Sequence, residues 1–515
     1  MPVRALEMRE GIRTLCWWAS SYRAIATRLI GIILVFLGCG ANIAVARGLP
    51  ESVLVALQNA GIPLDAIGTH VQHVDAESPV VSVNATRPMN PASVMKLVTT
   101  FAGLELLGPA FTWKTTLVAT SAPVDGVITG DLTIRGGGDP KLTIENFWLL
   151  LRALRGSGVR EITGDLIVDA SYFDVKPSPP GAFDREPLRP YNVAPHALLV
   201  NFKAVKFRFA PPAGSGPIAV TADPRLPQVE VLHHLRASQG SCADWRGSIK
   251  PQVDDSGNAA KVTFTGTMPS SCGPQDWYLS VLSHPSFIYG TFKSLWEELG
   301  GTLTGKWRED VADPTAMALV SSDSPPLADV VRDINKFSNN VMARHLFLTL
   351  SAHEGSGGGR EDRSAQIVGE WMKTKGLEAA GFVIENGSGL SRNERISAQT
   401  LGRLLVRAYE SPIMPELIGS LPLVAVDGTM RQRLRRDNVA GHAHIKTGGL
   451  NNVSTIAGFV KAADGRRFAV TFLVNHPNAA RSGAAQDALL RWVHRGADLP
   501  VPVKRMPAKS AGPLK

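Results

Sequence analysis

The sequence predicts an α/β (α+β) domain that is split in two by a large β-rich insertion. Mixed helix and strand signals occupy the early part of the chain and return after about residue 319, whereas short strands with many Gly and Pro fill the middle. At 515 residues and 44% hydrophobic content, the chain is long enough for several globular domains. We therefore expect 47–111 and 319–497 to form the host domain and 112–318 the inserted part, with a subdomain at about 203–281.

The N-terminus has the pattern of a secretory signal peptide. Two arginines precede the apolar run Leu29–Leu37, and small residues follow at Ala44-Val45-Ala46. An uncleaved membrane anchor is the competing interpretation, but glycines and an asparagine between 38 and 42 interrupt the apolar run. We expect 1–46 to be a signal peptide and the mature chain to be exported to the periplasm.

Before the insertion, the sequence predicts a helix, a hairpin and a second helix. Their ranges are Pro50–Asn59, Ala66–Val74 with Pro79–Val83, and Asn90–Leu107. Ser93 and Lys96 are three residues apart at the start of the second helix, so they share one face of it. A serine hydroxyl becomes a nucleophile when a neighbouring base takes its proton, and a lysine whose pKa is lowered can be that base.

An internal near-repeat marks the β-rich insertion. Val127–Ile134 returns as Glu161–Val168, and each copy predicts a strand, a Gly-Asp turn and a strand. Two copies are too few for a solenoid, so we expect duplicated hairpins in one sheet. The glycine-rich stretch Gly136–Pro140 lacks the Gly-Lys-Ser/Thr ending of a phosphate-binding loop and predicts a tight turn.

Two cysteines remain after removal of the signal peptide. Cys242 and Cys272 both lie in the insertion, and the expected compartment is oxidising. An even pair in such a compartment predicts a disulfide. The pair is too sparse to form a zinc site.

After the insertion, the sequence predicts helices and then a strand-rich end. The helices are Leu327–Asn335, Lys336–Leu350 and Ser364–Lys375, the strands are His442–Thr447, Ser454–Lys461 and Arg466–Val474, and a last helix spans Ala479–Arg495. The turn Ala463-Asp464-Gly465 joins the last two strands as a hairpin. The Pro- and Lys-rich tail 498–515 is expected to be disordered, and its basic character leaves peripheral membrane association open.

Three short motifs suggest serine hydrolase chemistry. Ser93-Val94-Met95-Lys96 is the only Ser-x-x-Lys in the chain, and Lys446-Thr447-Gly448 is the only Lys-Thr-Gly. Ser-x-Asn occurs four times, at Ser82, Ser256, Ser338 and Ser391. Ser82 precedes the first motif, Ser256 lies in the insertion and Ser391 lies in a Gly/Ser loop. The copy at Ser338-Asn339-Asn340 is favoured because an interhelical loop enters an apolar helix there. Together, these three motifs are the set known from β-lactamases and penicillin-binding proteins.

With these motifs, the chain resembles the serine penicillin-binding protein family. The long insertion between the first two motifs narrows the likeness to the class C low-molecular-mass members, the D-alanyl-D-alanine carboxypeptidase/endopeptidases. Further stretches that resemble the family are Gly136–Pro140, Asn335–Asn340, Gly387–Arg392 and Asp427–Arg431. The resemblance implies a penicillin-binding-protein/β-lactamase-like transpeptidase fold, an antiparallel sheet flanked by helices.

The resemblance also implies roles for the first two motifs. Ser93 would attack the carbonyl between two D-alanines and form an acyl-enzyme, and Lys96 would accept the hydroxyl proton. Ser338 would relay a proton to the leaving amine, while Asn340 would position Lys96 and the substrate amide. The family often has Asp where this chain has Asn339, a residue expected to point away from the cleft.

The third motif is expected to bind the substrate. Lys446 would place a positive charge at the terminal carboxylate of the substrate, and the Thr447 hydroxyl would bind the same carboxylate. Gly448 would let the substrate lie against the strand. The backbone N–H groups of Ser93 and Gly449 would form the oxyanion hole.

The expected partners are peptidoglycan stem peptides and β-lactam antibiotics, and no cofactor is expected. A β-lactamase or esterase of the same fold and a non-catalytic cell-wall binding protein are the alternative functions. A metal site at His442 and His444 is disfavoured because no third ligand is suitably spaced. Part of the net charge of +9 lies in the predicted signal peptide, and the remaining positive excess is spread along the chain, which does not support nucleic-acid binding. The sequence leaves the oligomeric state and the carboxypeptidase or endopeptidase preference open.

Overall fold

The computed structural model describes residues 48–496 except 177, 213–215, 356 and 379. The predicted signal peptide and the predicted disordered tail therefore lie outside the described residues. Within the described ranges, no helix has both the length and the apolar character needed to cross a membrane.

The helices that flank the site and the core lie mostly where the host domain was predicted. They are α1 (Glu51–Ala60), α2 (Lys96–Leu106), α3 (Ile144–Gly156), α4 (His284–Glu298), α5 (Leu327–Phe337), α6 (Asn340–His353), α7 (Glu361–Thr374), α8 (Ala398–Glu410), α9 (Met414–Ser420) and α10 (Gly483–Arg495). The sequence did not predict α3 and α4 of the insertion, nor α8 and α9. The helices α3 and α4 lie in the stretch whose Gly and Pro content suggested short strands, and no element was predicted for residues 398–420.

Strands fall into a host set and an insertion set. The host strands are β1 (Ile67–His73), β2 (Val81–Val83), β3 (Pro88–Met89), β18 (Ile396–Ser397), β19 (Ala443–Leu450), β20 (Val453–Lys461) and β21 (Arg467–Asn475). The insertion strands are β4 (Lys114–Ala119), β5 (Val127–Ile128), β6 (Leu132–Arg135), β7 (Glu161–Ile162), β8 (Leu166–Asp169), β9 (Val205–Ala210), β10 (Ala219–Asp223), β11 (Val229–Ser238), β12 (Ile249–Asp255), β13 (Ala260–Pro269), β14 (Gln275–Leu279), β15 (Thr302–Leu303), β16 (Trp307–Glu309) and β17 (Met317–Asp323).

A five-stranded antiparallel sheet joins the two ends of the host domain. Its order is β19-β20-β21-β1-β2, and β1 pairs with β21 through partners such as Thr69 and Phe472. The predicted fold class, an antiparallel sheet flanked by helices, is confirmed.

Both faces of this sheet are covered by helices. On β21, Val470 and Phe472 face one core, which α1 and α10 close, whereas Ala469 and Leu473 face the core that contains α2, α5, α6 and α8. Successive strand residues point to opposite faces, so a strand buried on both sides is apolar almost throughout. This is why β20 and β21 give such clear strand signals.

The prediction of duplicated hairpins in one sheet is wrong. Each repeat copy is a strand, a turn and a strand, but its two strands enter different sheets, with β5 parallel to β7 and β6 parallel to β8. A third copy, β15 and β16, adds to the same two stacks. The glycines of the three turns stack closely, since a Cβ on Gly305 would lie 2.1 Å from the carbonyl oxygen of Gly164. The third copy shares little with the others beyond the Thr-Gly of the turn, which hid it in the sequence.

The insertion has its own hydrophobic core and its own crosslink. Its largest core cluster is built almost entirely from residues between 117 and 303. A disulfide joins Cys242 and Cys272 beside the sheet β11-β13-β12. The domain boundaries themselves stay a prediction, because residues 48–496 fall within one compact unit.

The chain enters and leaves the insertion through two paired strands. β4 and β17 are antiparallel neighbours, and Lys114 Nζ lies 2.8 Å from a carboxylate oxygen of Asp323. The insertion also contacts the helices that follow it. Lys141 forms an ion pair of 2.5 Å with Asp333 on α5, and His345 Nδ1 on α6 lies 3.0 Å from the Gly138 carbonyl oxygen.

Candidate active site

Ser93 lies in a single 3₁₀ turn, Ala92–Met95, that leads directly into α2. Side chains three residues apart eclipse each other in a 3₁₀ turn, which stacks Ser93 over Lys96. The Lys96 Nζ atom lies 3.0 Å from the Ser93 Oγ atom. The sequence predicted an α-helical start here, and the tighter turn brings the two groups to hydrogen-bond distance.

Lys96 is fully buried and surrounded by oxygen acceptors. Its Nζ lies 2.7 Å from Asn340 Oδ1 and also contacts the carbonyl oxygen of Ser388. A neutral amine has two N–H donors and one lone pair. The two acceptor-only oxygens satisfy both donors, so the lone pair faces the hydroxyl of Ser93. This arrangement suits an amine that accepts the hydroxyl proton.

The environment of Lys96 favours the neutral form. Burial lowers the pKa of Lys96 well below its ordinary value, and the positive charge of Lys446 lowers it further. A negative charge on Glu394 acts in the opposite direction. The balance keeps the amine available as a base.

The α5–α6 junction presents the second motif. Ser338 follows the last residue of α5 with a φ of 57°, in the left-handed region, and Asn339 caps α6 by accepting the backbone N–H of Met342. Asp and Asn are both strong caps, which accounts for Asn at a position where the family often has Asp. The sharp turn leaves Ser338 and Asn340 on the side of the two lysines.

Lys446 on β19 is the second buried lysine. Its Nζ donates to Ser338 Oγ at 2.9 Å and to the Thr447 carbonyl oxygen at 2.7 Å. Burial lowers the pKa of Lys446 to about 7. The Ser338 hydroxyl is therefore within hydrogen-bond distance of the Lys446 amine, just as the Ser93 hydroxyl is of the Lys96 amine.

Close contact between β19 and the Ser93 turn explains the glycine of the third motif. A Cβ on Gly448 would lie 2.3 Å from Thr455 Oγ1 and 2.8 Å from the backbone nitrogen of Ser93. Only glycine lets the strand approach the nucleophile so closely. The Cβ direction at Gly449 is open, with the nearest atom at 4.0 Å.

With this geometry described, comparison with known proteins identifies the family. The family model described as D-Ala-D-Ala carboxypeptidase 3 (S13) matches residues 49–495. The chain belongs to the S13 peptidase family. It is a serine-type D-Ala-D-Ala peptidase, and the resemblance to class C low-molecular-mass penicillin-binding proteins is confirmed.

Known proteins similar to this S13 peptidase cover most of its length. A D-alanyl-D-alanine carboxypeptidase of an Actinomadura species is 27% identical, over 91% of this chain and 89% of that protein. The carboxypeptidase DacB of Haemophilus influenzae is 22% identical, over 79% and 85% of the two chains. The crystal structure of penicillin binding protein 4 from the same species shares the fold, with a TM-score of 0.73 and 21% identity over 87% of this chain and all of that one.

The sequence did not single out three groups that the S13 peptidase brings to its site. The Ser388 carbonyl oxygen contacts Lys96, Thr429 Oγ1 lies 2.7 Å from Thr447 Oγ1, and the Glu394 carboxylate lies close enough to influence Lys96. Ser388 and Thr429 fall within stretches that resemble the family. Ser388 contributes a backbone atom, however, and a backbone carbonyl has no signature in a sequence.

Proposed function

We propose that this S13 peptidase cleaves the D-Ala-D-Ala bond of peptidoglycan stem peptides through an acyl-enzyme on Ser93. The observation that supports this proposal best is the contact between Ser93 and a fully buried Lys96 of lowered pKa. Hydrolysis of cross-links between stem peptides, an endopeptidase reaction, uses the same acyl-enzyme. β-Lactams would acylate the same hydroxyl.

The acylation step transfers one proton and exchanges one bond. The Ser93 hydroxyl proton passes to Lys96 Nζ as Oγ bonds to the carbonyl carbon between the two D-alanines. The backbone N–H groups of Ser93 and Gly449 would stabilise the oxyanion, at about 3 kcal/mol for each donor. The C–N bond then breaks, and the proton held by Lys96 passes through Ser338 to the leaving amine, which leaves Lys96 neutral again. Water hydrolyses the acyl-enzyme and regenerates Ser93.

In this proposal, the third motif, Lys446-Thr447-Gly448, binds the substrate. Lys446 donates two hydrogen bonds within the protein, so its ammonium form has one N–H left for a substrate carboxylate. The Thr447 hydroxyl, paired with Thr429, would bind the same carboxylate. Peptidoglycan lies outside the cytoplasm, and the proposed location is the periplasm. The Haemophilus influenzae penicillin binding protein 4 has been crystallised with a β-lactam, which supports binding of such compounds.

Labelling with a fluorescent penicillin tests the nucleophile. We expect the wild-type protein to be labelled, and Ser93→Ala to lose labelling by about a thousandfold or more while remaining folded, because the hydroxyl beside Lys96 is then removed. Ser82→Ala, which changes an exposed serine on β2, is the matched control and should label normally. Labelling that survives Ser93→Ala would show that the nucleophile is misassigned.

Product analysis distinguishes the alternative functions. Release of D-alanine from a pentapeptide and cleavage of cross-linked muropeptides would support the proposed peptidase reactions. A label that forms and is rapidly lost, with turnover of penicillin, would instead indicate a β-lactamase. Absence of any covalent label would indicate a binding protein.

A further inference from the structure

A buried carboxylate lies behind Lys96, and the mechanism above does not use it. Glu394 is fully buried, and its Oε1 atom accepts the backbone N–H groups of Glu385, Asn386 and Gly387 at 3.1, 3.1 and 3.2 Å. Its other oxygen, Oε2, has no hydrogen-bond partner in the part of the chain that the structure describes. An unsatisfied buried carboxylate oxygen costs free energy, so it calls for a functional explanation.

The backbone turn that Glu394 holds is part of the catalytic centre. The carbonyl oxygen of Ser388 accepts from Lys96, and Thr99 Oγ1 on α2 donates to the Gly387 carbonyl oxygen at 2.6 Å. A Cβ on Gly389 would lie only 2.0 Å from the carbonyl oxygen of Ala92. The turn is therefore fitted tightly against the nucleophile, and its position fixes one of the acceptors of Lys96.

Charged groups from each neighbouring element surround Glu394. Burial raises the pKa of Glu394, and the positive charge of Lys96 on α2 acts to lower it. Arg344 lies on α6, one turn beyond Asn340, where burial lowers its pKa and the negative charge of Glu394 acts to raise that pKa. Arg344 Nη2 pairs with Glu361 at 3.3 Å. On the turn itself, Glu385 accepts hydrogen bonds from Ser391 and Asn393.

These groups form a row of alternating charges that starts at Lys96, the lysine beside the nucleophile. The row runs from Lys96 to Glu394, then to Arg344 and Glu361, and the positive charge of Lys446 also acts on Lys96. Glu394 supplies the only negative charge that acts on Lys96 among these groups.

We propose that Glu394 is a positioning residue for Lys96. The Glu394 carboxylate holds the Ser388 carbonyl against the Lys96 amine, and the Glu394 charge sets the pH range in which that amine acts as a base. A negative charge beside an amine stabilises its protonated form. Glu394 therefore opposes the effects of burial and of Lys446. This inference rests on the proposed function, in which Lys96 is the base for Ser93.

Glu394→Gln separates the two parts of this role. The glutamine retains an oxygen that can accept the three backbone N–H groups, but it has no charge. We expect the acid limb of the acylation rate, measured with a fluorescent penicillin from about pH 5 to 9, to move about one pH unit or more towards lower pH. Below the wild-type midpoint, the variant should therefore be acylated about tenfold faster than the wild type.

Two further variants serve as controls for the effect of the Glu394 charge. Glu385→Gln removes an acid from the same turn and should leave the acid limb unmoved, because Glu385 is not among the groups that act on Lys96. Glu394→Asp keeps the charge on a shorter side chain, so acylation should slow at every pH with the midpoint retained. If Glu394→Gln does not fold, the pH dependence of acylation in Glu394→Asp still tests the proposal.

The outcomes separate this inference from the proposed function. A folded Glu394→Gln protein with the wild-type acid limb, or with equal loss at all pH values, would overturn the role of its charge. A shifted midpoint in Glu394→Asp would also overturn it. A wild-type protein that no penicillin acylates at Ser93 would instead refute the proposed function, whatever the Glu394 variants do.

Discussion

At the residue scale, two fully buried lysines share one cleft but differ in what they contact. Lys96 has two acceptor-only oxygens beside the Ser93 hydroxyl, and burial together with Lys446 lowers its pKa. Lys446 has the Ser338 hydroxyl and one carbonyl oxygen, and burial alone brings its pKa to about 7. The first arrangement suits a base, and the second leaves a donor for an anion.

These pKa shifts predict a bell-shaped pH dependence for substrates that end in a carboxylate. The acid limb reports loss of the proton from Lys96, and activity rises there with pH. The basic limb reports loss of the proton from Lys446, so the interaction with the carboxylate is present below about pH 7 and weakens above it. The measurement is kcat/KM against pH for a D-Ala-D-Ala peptide and for a neutral ester, which should lack the basic limb.

Replacing Lys446 tests the same assignment. Lys446→Met should lower kcat/KM for the peptide by about a hundredfold, since a hydrogen bond to a charged group contributes about 1.5–3 kcal/mol. The neutral ester should lose far less. An equal loss on both substrates would contradict a role for Lys446 in carboxylate binding.

At the element scale, two junctions and one strand meet at the cleft. A 3₁₀ turn leads into α2 and presents Ser93, the α5–α6 junction presents Ser338, and β19 presents Lys446. None of these groups lies in the middle of a regular helix. Packing of β19 against the 3₁₀ turn sets the spacing between the strand and the nucleophile.

Gly448→Ala should disturb this spacing without unfolding the protein. The new methyl group would meet backbone atoms of the Ser93 turn within 3 Å, so the strand must move away. We expect penicillin acylation to fall by about a hundredfold, because small displacements of a catalytic constellation have large effects on rate. Gly449→Ala, with open space at its Cβ, should cause a smaller loss, and circular dichroism would verify that both variants fold. Wild-type acylation in Gly448→Ala would contradict the assigned contact.

At the scale of the whole molecule, host and insertion keep separate cores yet touch near the site. The ion pair between Lys141 and Asp333 and the contact between Gly138 and His345 connect the insertion to α5 and α6. The junction between these two helices presents Ser338, and α6 begins at Asn340. The insertion is therefore placed to affect the cleft through the positions of two helices.

Removing the disulfide tests how far the two cores are independent. The bond closes a loop of 30 residues within the insertion, and its loss should cost about 2–4 kcal/mol of stability. The double variant Cys242→Ser/Cys272→Ser should unfold at lower temperature in calorimetry but show the wild-type rate of penicillin acylation at 25 °C. A loss of acylation at that temperature would show that the cores are coupled.

The sequence by itself determined the split α/β host, its late strands and the three motifs. Periodicity identifies strands buried on both faces, and Ser93, Lys96 and Lys446 belong to motifs that occur once. Strand and helix boundaries there differ from the structure by only a few residues, apart from the missed α8 and α9. Side-chain chemistry at short spacing is a local signal, so it can be read along the chain.

Only the tertiary structure decided the parallel stacking of the repeat, the contact of Ser388 with Lys96 and the place of Glu394. These features join residues that are far apart in the sequence, or they use backbone atoms that every residue has. The turn glycines of the repeat gave a correct local prediction, but pairing partners depend on which strands come together in space. The buried charge of Glu394 likewise acquires its effect only because folding places it behind a lysine nearly three hundred positions away.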